Sequence, residues 1–551
     1  MEKGVKMVQK TKNSGFVTSC IVTAIFSAIV IIGLFFHETW YDEAQAYLIA
    51  RDASLHDILF YLPHYEGHPP LWHLMLRVGA LGLPYPFALK GVQFILYEAV
   101  LLIIQFRSPF SRIMKAIIPT SFFLVYQYAV TSRPYILLTL ACLLTAMTYK
   151  KRKEKPLRYI LALILMCLSH SYGIAMAGGI VVADIAGECI RQRSFKKGAL
   201  DIIKNKKLLV CYIVLLAAAL LTIADIIPYS DTFGTSIVRT RNHGIPVTFL
   251  LCWIYVPSEV LFTSFSSEVM TLQCEVNSFG EMFGAAVVSL LVWAVLFRIC
   301  YKRKMIAEMI VPYFFVSILI TSYSYPHHFG VFLMYLLFII WTAHDKDPIT
   351  LSEFTTPAAK AGISEGFVKK GAALGAAAFV CINVYWDVRS FYREIRIDYD
   401  PSPELAEWIK DNGLEDKKLL SSWLETDTNL YTSAAIASNA YFDRNIYYNV
   451  YNDQSYISHK VPNKKQMEEY YENLRSLGQP DFIVCGSPLE AQKIRELLDF
   501  DEPYIAQAFV GKASRIFKDK AEQMDVFVCC TKETYRELYG REYEAESYKK
   551  S

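Results

Sequence analysis

Charged residues are scarce in this chain. They make up 20% of its 551 residues, against about 25% in ordinary soluble domains, while apolar residues reach 53%. A spaced cysteine framework is lacking as well, because most of the 12 cysteines lie inside apolar runs, as small core residues do. No internal repeat and no low-complexity linker is evident. A single soluble domain is therefore excluded as a description of the whole chain.

The charge is divided unevenly along the sequence. Residues 386–551 carry 22 Lys and Arg against 30 Asp and Glu, net −8, whereas residues 1–385 carry 34 against 23, net +11. The positive excess of the first part falls in short clusters between apolar runs and forms no continuous basic face. We therefore expect no nucleic-acid partner, and we expect the two parts to lie in different surroundings.

Long apolar runs dominate the first part. The run 16–36 contains no charge, reaches the roughly 20 residues that cross a bilayer, and is not followed by a small-residue cleavage site, so we expect a retained anchor. The further apolar runs are 86–106, 112–130, 134–149, 157–170, 173–190, 208–227, 247–264, 282–299, 305–323, 329–343 and 369–385. This pattern predicts a polytopic α-helical membrane protein with about eleven spans.

The basic clusters predict the orientation of these spans. The positive-inside rule places the clusters in the cytoplasm together with the N-terminus. They occupy 3–12, 107–115, 150–158, 191–207, 301–304 and 346–370. The loop 37–85 and the whole tail then face outward, at the plasma membrane. This topology requires that 247–264 does not cross, because a crossing there would move Lys302 and Arg303 outside, and it requires a break near 170–173.

The tail from residue 386 has the composition of a soluble domain. Helix patterns at 402–412, 464–477 and 487–498 alternate with strand-like runs at 481–485 and 525–530. Such alternation predicts a small extracytoplasmic α/β domain over 386–551, following a membrane domain over 1–385. The role of its many tyrosines stays open.

The first outer loop carries an acidic pair and a His-Pro-Pro motif. Asp42 and Glu43 lie a few residues after the first span, and His68-Pro69-Pro70 lie near the end of the loop. Apolar residues at helical intervals predict two amphipathic helices along the membrane surface, with capping pairs at Thr39/Asp42 and Ser54/Asp57. Acids in a first helical turn are commonly explained by the helix dipole. A carboxylate this close to lipid head groups could instead act as a general base.

In this order, spacing and membrane side, Asp42-Glu43 and His68-Pro69-Pro70-Leu71 resemble the polyprenyl-phosphate-sugar-dependent glycosyltransferases of the GT-C superfamily. The protein O-mannosyltransferase and lipid A aminoarabinose transferase types are the most similar. The resemblance covers roughly residues 16–345 and includes the turns Ser132-Arg-Pro-Tyr135 and Ser169-His-Ser-Tyr-Gly173. It implies a GT-C-like fold and inverting transfer of a sugar from a polyprenyl-phosphate donor to an extracytoplasmic glycan, lipid or protein acceptor, among membrane lipids.

The resemblance also implies roles for individual residues. Asp42 would deprotonate or orient the acceptor, and Glu43 would support it. Side chains at the outer edge would stabilise the leaving phosphate; the expected ones are Lys90, Arg133, His327 and His328. The expected substrate-binding residues are Glu66, His68, Tyr135, His170 and Tyr172. Relatives often carry an Arg near the histidine pair, and its absence here leaves that role of the pair open.

Structural explanations compete with several of these roles. Lys90 would serve equally as a snorkelling residue paired with Glu98, Arg133 as a charge that ends a span, and His170 as a hydrogen-bonded packing residue. A divalent cation on Asp42, Glu43 and Glu66 stays open, but these residues are not spaced as a ligand set, and similar enzymes often work without a metal. No metal site is therefore predicted and no cofactor is assigned.

Two other classes of protein stay open. A transporter or flippase of lipid-linked glycans usually shows charges or Gly/Pro breaks in the middle of paired spans, whereas the ionisable residues here cluster at one membrane edge. A non-catalytic assembly factor that presents substrate through the tail is the third reading.

Overall fold

The computed structural model describes residues 2–232, 245–262, 279–322, 325–421, 433–448, 455–457, 459–517 and 520–544. Within them the chain forms a bundle of apolar helices with an α/β tail. Helices are expected because hydrocarbon offers no partner to backbone N–H and C=O groups. The helices before the tail are α1 (Glu2–Phe36), α2 (Tyr41–Asp52), α3 (Leu55–Phe60), α4 (Pro63–Glu66), α5 (Leu71–Ala80), α6 (Phe87–Leu102, continued by a π-helical turn Ile103–Arg107), α7 (Arg112–Ile117), α8 (Tyr135–Tyr149), α9 (Pro156–Ser169), α10 (Ser171–Arg191), α11 (Phe195–Lys204), α12 (Lys206–Ile226), α13 (Ile245–Ile254), α14 (Val256–Phe262), α15 (Phe279–Lys302), α16 (Ile306–Ser322), α17 (Val331–Lys346, preceded by a 3₁₀ turn Pro326–His328), α18 (Ser352–Lys360) and α19 (Glu365–Arg396).

The bundle confirms a multi-pass membrane fold. Among the described residues, eight helical segments are long and apolar enough to cross a membrane, and the shorter apolar helices α8, α9 and α16 accompany them. Among the described residues these helices number eleven, as many as the predicted spans, but the two sets are not the same. The eleven helices include 245–262, which was predicted not to cross, and leave out 112–130, which was predicted to be a span.

The segment 112–130 is not the single helix predicted. It consists of α7, a 3₁₀ turn over Ile118–Thr120 and a π-helical turn over Phe123–Gln127. Pro119 breaks the helix because it has no backbone donor. The irregular part is tolerated because residues 121–130 are all buried in protein, where the N–H of Phe122 donates to the side-chain oxygen of Asn383 at 2.9 Å.

The segment 245–262 forms two helices joined at Tyr255, and it is long and apolar enough for one span. The expectation that it does not cross stays a prediction, and its contacts show only which helices it packs against. Trp253 stacks on Trp293 at 4.9 Å, the N–H of Ser258 donates to Ser289 at 3.1 Å, and Leu261 accepts from Asn383 at 2.8 Å. These partners lie in the middle or the outer half of α15 and α19, away from the charged inner end.

Close packing of α10 against α16 depends on glycine. A Cβ atom at Gly179 would lie 2.6 Å from the Cα of Pro312, whereas one at Gly178 would meet nothing within 4 Å. The two helices therefore approach at a distance that a larger side chain would prevent.

Four of the six predicted cytoplasmic clusters, 150–158, 191–207, 301–304 and 346–370, meet at one end of the bundle. Arg303 forms a bidentate ion pair with Glu353, with N–O distances of 2.8 and 2.9 Å, and both side chains are buried. Lys153 and Arg191 both contact Glu188, at 2.9 and 3.0 Å. Because α17 begins at the site described below and ends at this charged end, the two lie at opposite ends of the bundle.

The first outer loop is helical, as predicted, but α2 does not lie free on the membrane surface. Residues 43–50 are buried because α2 packs against α5 of the bundle on one side and against the tail on another. The side-chain amide of Gln45 both donates to and accepts from the backbone of Ile457, at 2.5 and 3.0 Å. The cap at Ser54/Asp57 is confirmed, whereas the Thr39/Asp42 cap is wrong: α2 begins after Trp40, whose N–H donates to Glu43 at 2.9 Å.

The tail is a small α/β domain, as predicted. Its elements are α20 (Ser402–Asp411), β1 (Leu419–Ser421), α21 (Ser433–Asn439), β2 (Tyr447–Tyr448), α22 (Lys464–Ser476), β3 (Phe482–Cys485), α23 (Pro488–Leu498), β4 (Ala506–Phe517), β5 (Lys520–Cys530) and α24 (Lys532–Tyr539). The strand order is β2-β1-β3-β5-β4, with β1 parallel to β2 and β3, and β5 antiparallel to β3 and β4. Alternate residues of β3 enter two different cores, so this strand is buried on both faces. The expected domain boundary at 385/386 falls inside α19.

Candidate active site

Asp42 and Arg133 lie side by side at the end of the bundle opposite the charged end described above. Oδ2 of Asp42 is 2.7 Å from Nη1 of Arg133, and the two side chains keep 31% and 17% of their surface exposed. Asp42 belongs to the first turn of α2, and Arg133 belongs to the turn before α8. A carboxylate and a fixed cation are thus in contact and still open to an incoming molecule.

Glu43 holds these two elements together from behind. It is fully buried, its Oε1 accepts from the N–H of Ser132 at 2.5 Å, and its Oε2 accepts from the N–H of Trp40 at 2.9 Å. Ser132 directly precedes Arg133, and Trp40 is the N-cap of the helix that carries Asp42. One carboxylate therefore joins the backbone segments of both members of the pair.

The Glu43 carboxylate is itself paired with a buried histidine. Nε2 of His37 donates to Oε2 of Glu43 at 2.9 Å, and Nδ1 of His37 contacts both carboxylate oxygens of Glu394 at 3.2 Å. Burial by itself would lower the pKa of His37, but the two carboxylates outweigh it and raise the pKa to about 10. Burial likewise opposes ionisation of Glu43, yet His37 and the two backbone donors lower its pKa. The His37 imidazolium and the Glu43 carboxylate are thus both charged at neutral pH.

Imidazole and phenol rings form a wall beside the Asp42–Arg133 pair. The rings of His68 and His170 are 4.7 Å apart, and Tyr135 lies 4.8 Å from His170 and 5.8 Å from His327. We call this group the imidazole niche; its members are His68, Tyr135, His170, Tyr172, His327 and His328. The niche gathers residues from the first outer loop and from the outer ends of α8, α10 and α17.

Hydrogen bonds settle which ring nitrogens in the niche carry protons. Nδ1 of His170 accepts from the N–H of Tyr172 at 3.2 Å, and Nδ1 of His328 accepts from the N–H of Tyr325 at 3.0 Å. Their protons are therefore on Nε2. Nε2 of His170 and Nδ1 of His68 are buried and have no hydrogen-bond partner among the described residues. These two nitrogens are available to a substrate.

His68 and His170 add no positive charge to the niche. Burial, assisted by the nearby charge of Arg133, lowers the pKa of His170 to about 3. Burial, together with His170 and Arg133, also lowers the pKa of His68 well below its usual value. The rings act as neutral hydrogen-bonding groups, and Arg133 supplies the positive charge next to Asp42.

Two predicted site residues lie elsewhere. Nζ of Lys90 donates to the backbone carbonyl of His37 at 2.7 Å, on the buried side of Glu43, and not to Glu98. Glu66 accepts from Gln45 at 3.2 Å and lies 3.7 Å from His459 of the tail. The proposed roles of both residues stay predictions.

The carboxylates considered for a divalent cation have separate partners. Asp42 pairs with Arg133, Glu43 with His37 and Glu66 with Gln45. In the described part of the chain, no group of three or more His, Cys, Asp or Glu side chains is placed to hold a metal ion.

The sequence interpretation missed His37, Trp40 and Glu394. His37 is six residues from Glu43 at the end of the first span, so a local search for ion pairs had a signal to find it. Glu394 is 357 residues from His37, and no sequence pattern connects them.

The bundle, the helical first outer loop and the α/β tail define a polytopic membrane protein with the fold of the GT-C type, as the motifs predicted. A solved structure with this fold is that of ArnT from Cupriavidus metallidurans bound to undecaprenyl phosphate. It aligns with 11% sequence identity and a TM-score of 0.50, covering 92% of this chain and 97% of that chain. Neither a protein-family model nor a curated protein matches the chain.

Proposed function

We propose that this protein is an inverting glycosyltransferase that moves a sugar from a polyprenyl-phosphate donor to an acceptor at the outer face of the plasma membrane. The observation that carries the proposal is the 2.7 Å contact between Asp42 and Arg133, a candidate base and a candidate phosphate-binding cation. The similar fold of ArnT, a protein solved with undecaprenyl phosphate, supports the choice of donor. The basic clusters at the opposite end of the bundle support an outward-facing site and tail.

In the proposed chemistry Asp42 acts on the acceptor hydroxyl and Arg133 acts on the leaving phosphate, on opposite sides of the anomeric carbon. An acceptor hydroxyl attacks the anomeric carbon from the face opposite the phosphate, and its proton passes to Asp42. The bond between the anomeric carbon and the phosphate oxygen breaks, and its electron pair stays on the lipid phosphate. Arg133 stabilises the charge that grows on this phosphate, while Nε2–H of His170 is available to donate to a donor oxygen.

This mechanism requires the Asp42–Arg133 ion pair to open. In the structure each group neutralises the other, so Asp42 is not yet free to accept a proton. A donor phosphate would compete for the guanidinium, because bidentate arginine–phosphate pairing is at least as favourable as the partly exposed pair with the carboxylate. Donor binding would thereby release the base, and we expect donor to bind before acceptor.

The test is transfer of labelled sugar by the purified full-length protein. Polyprenyl-phosphate sugars carrying a radiolabel are incubated with the protein and with cell-envelope fractions, and label in the acceptor is counted. We expect one donor to be used, and we expect D42N to lower the rate of transfer from it by about 10²- to 10⁴-fold while the variant stays folded and inserted. The matched control is D57N, which should keep full activity. It replaces an acid on α3 of the same loop, whose side chain accepts from Ser54.

The same experiment separates transfer from transport. A flippase would move the labelled lipid between leaflets with its sugar–phosphate bond intact, and D42N would retain that movement only if Asp42 has no part in it. Full transfer by D42N would remove Asp42 from the mechanism. Intact donor after incubation with every envelope fraction would contradict the enzyme proposal.

A further inference from the structure

Three titratable side chains form a buried cluster behind the candidate active site. His37, Glu43 and Glu394 are 3%, 0% and 7% exposed, and the imidazole of His37 lies between the two carboxylates. Tyr126 donates its hydroxyl to Oε1 of Glu394 at 2.5 Å, and Lys90 donates to the carbonyl of His37 at 2.7 Å. Five segments of the chain therefore meet at this cluster.

Each carboxylate connects the histidine to a different part of the protein. Glu43 joins it to the N-cap of α2 and to the N–H of Ser132, the residue before Arg133. Glu394 belongs to the outer end of α19, from which the tail begins. The neighbouring Glu38 accepts from the N–H groups of Tyr399 and Asp400, at 2.6 and 2.9 Å, and so makes a second link to the start of the tail.

We propose that His37 and Glu394 are positioning residues. Through Glu43 they set the relative placement of Asp42 and Arg133, and they make that placement depend on the start of the tail. The proposal rests on the glycosyltransferase function proposed above. Neither residue contacts the imidazole niche in the hydrogen bonds described, so neither is expected to touch substrate.

The physical argument concerns what happens when one charge is removed. With His37 neutral, two buried carboxylates would face each other without a cation between them, and burial strongly disfavours such an arrangement. Glu43 would then gain a proton or move, and either change weakens its bonds to Ser132 and Trp40. A displacement of about 1 Å at reacting groups costs on the order of 10²-fold in rate.

The other charged and titratable groups around His37 are few. Lys90 contributes a second positive charge on the side of α6, Glu38 is the chain neighbour, Tyr126 contacts Glu394, and the ring of Tyr399 lies 6.0 Å from His37. Two cations thus face Glu38, Glu43 and Glu394, so loss of the His37 charge leaves Lys90 alone against the acids.

The first test compares steady-state kinetics of H37Q, H37R and E394Q with the wild type in the full-length protein. We expect H37Q and E394Q to lower kcat by on the order of 10²-fold, with less than a threefold change in KM for the donor. H37R keeps a cation between the carboxylates and should recover most of kcat. The matched controls are H56Q, an exposed histidine in the same loop, and E365Q, an exposed acid on α19, which should match the wild type.

A pH profile distinguishes positioning from a purely structural role. Wild-type kcat should decline as the pH approaches 10, where His37 loses its proton, and the decline should move to higher pH in H37R. Lys90 is present in both proteins, so its own titration does not explain a difference between them. Unchanged kcat in H37Q and E394Q, or an identical alkaline decline in the wild type and H37R, would overturn the proposal.

A thermal double-mutant cycle tests the proposal without any activity. In the wild-type background D42N and R133Q should have non-additive effects on Tm, because the two side chains are in contact. In the H37R background the coupling should persist, and in E394Q it should vanish. Coupling that survives in E394Q contradicts the positioning role even if no donor is ever turned over, whereas absent turnover with the expected coupling pattern counts against the proposed function alone.

Discussion

The adjacent acids Asp42 and Glu43 should respond differently to neutralisation: both changes should lower the rate of transfer, but only the change at Glu43 should also lower stability. Both oxygens of Glu43 accept hydrogen bonds, Oε1 from Ser132 and Oε2 from Trp40 and His37. A glutamine has one acceptor oxygen and one NH2 group, so E43Q must turn donors toward at least one of these partners. It also leaves the His37 cation with a single buried carboxylate.

The expected cost of E43Q follows from its burial. Removing one partner of a fully buried ion pair costs about 3–5 kcal/mol. Asp42 differs because 31% of its side chain is exposed, and partly exposed pairs of this kind contribute about 1 kcal/mol or less. D42N should therefore lower the rate of transfer by about 10²- to 10⁴-fold with little change in stability, whereas E43Q should lower both.

The assay combines thermal unfolding in detergent with label transfer for both variants, using D57N as the reference for an acid of the same loop. The decisive quantity is the difference in unfolding free energy between E43Q and D42N, which we expect to be at least about 2 kcal/mol. An E43Q variant as stable as the D57N reference would refute the buried network as described. A D42N variant that unfolds as readily as E43Q would show that Asp42 is mainly structural.

Three further predictions concern the rest of the fold. G179A should be clearly destabilised because its Cβ would lie 2.6 Å from Pro312, while G178A should match the wild type in Tm; equal values would contradict the close approach of α10 and α16. E353Q should lower the free energy of unfolding by about 3–5 kcal/mol, because it leaves Arg303 buried without its carboxylate. Chemical denaturation measures this loss, with E365Q as the control at an exposed site. The contribution of His37 to stability should be complete below pH 6.5 and lost as the pH rises to about 10, because folding raises the pKa of this residue from 6.5 to about 10. Tm should therefore fall over this range in the wild type and fall less in H37R. Parallel curves of Tm against pH for the two proteins would argue against a charged histidine.

The sequence by itself determined which segments are suited to lipid and which to water, and it determined roughly where the candidate site lies. Apolar runs and basic clusters predicted a bundle of about eleven spans, because hydropathy and charge are local properties that a bilayer reads directly. The order of Asp42, His68, Arg133 and His170 at predicted outer ends was sufficient to place them near one another. Strand and helix patterns in the tail were equally local.

Only the tertiary structure decided which charges meet. Lys90 and Arg133 were equivalent candidates in the sequence, yet Arg133 contacts Asp42 while Lys90 lies behind Glu43. The contact between His37 and Glu394 joins residues 357 positions apart, and its existence depends on how α19 packs against α1. The break in 112–130 and the burial of α2 have the same origin. Protein neighbours there replace lipid or water, and sequence periodicity carries no information about which neighbour that is.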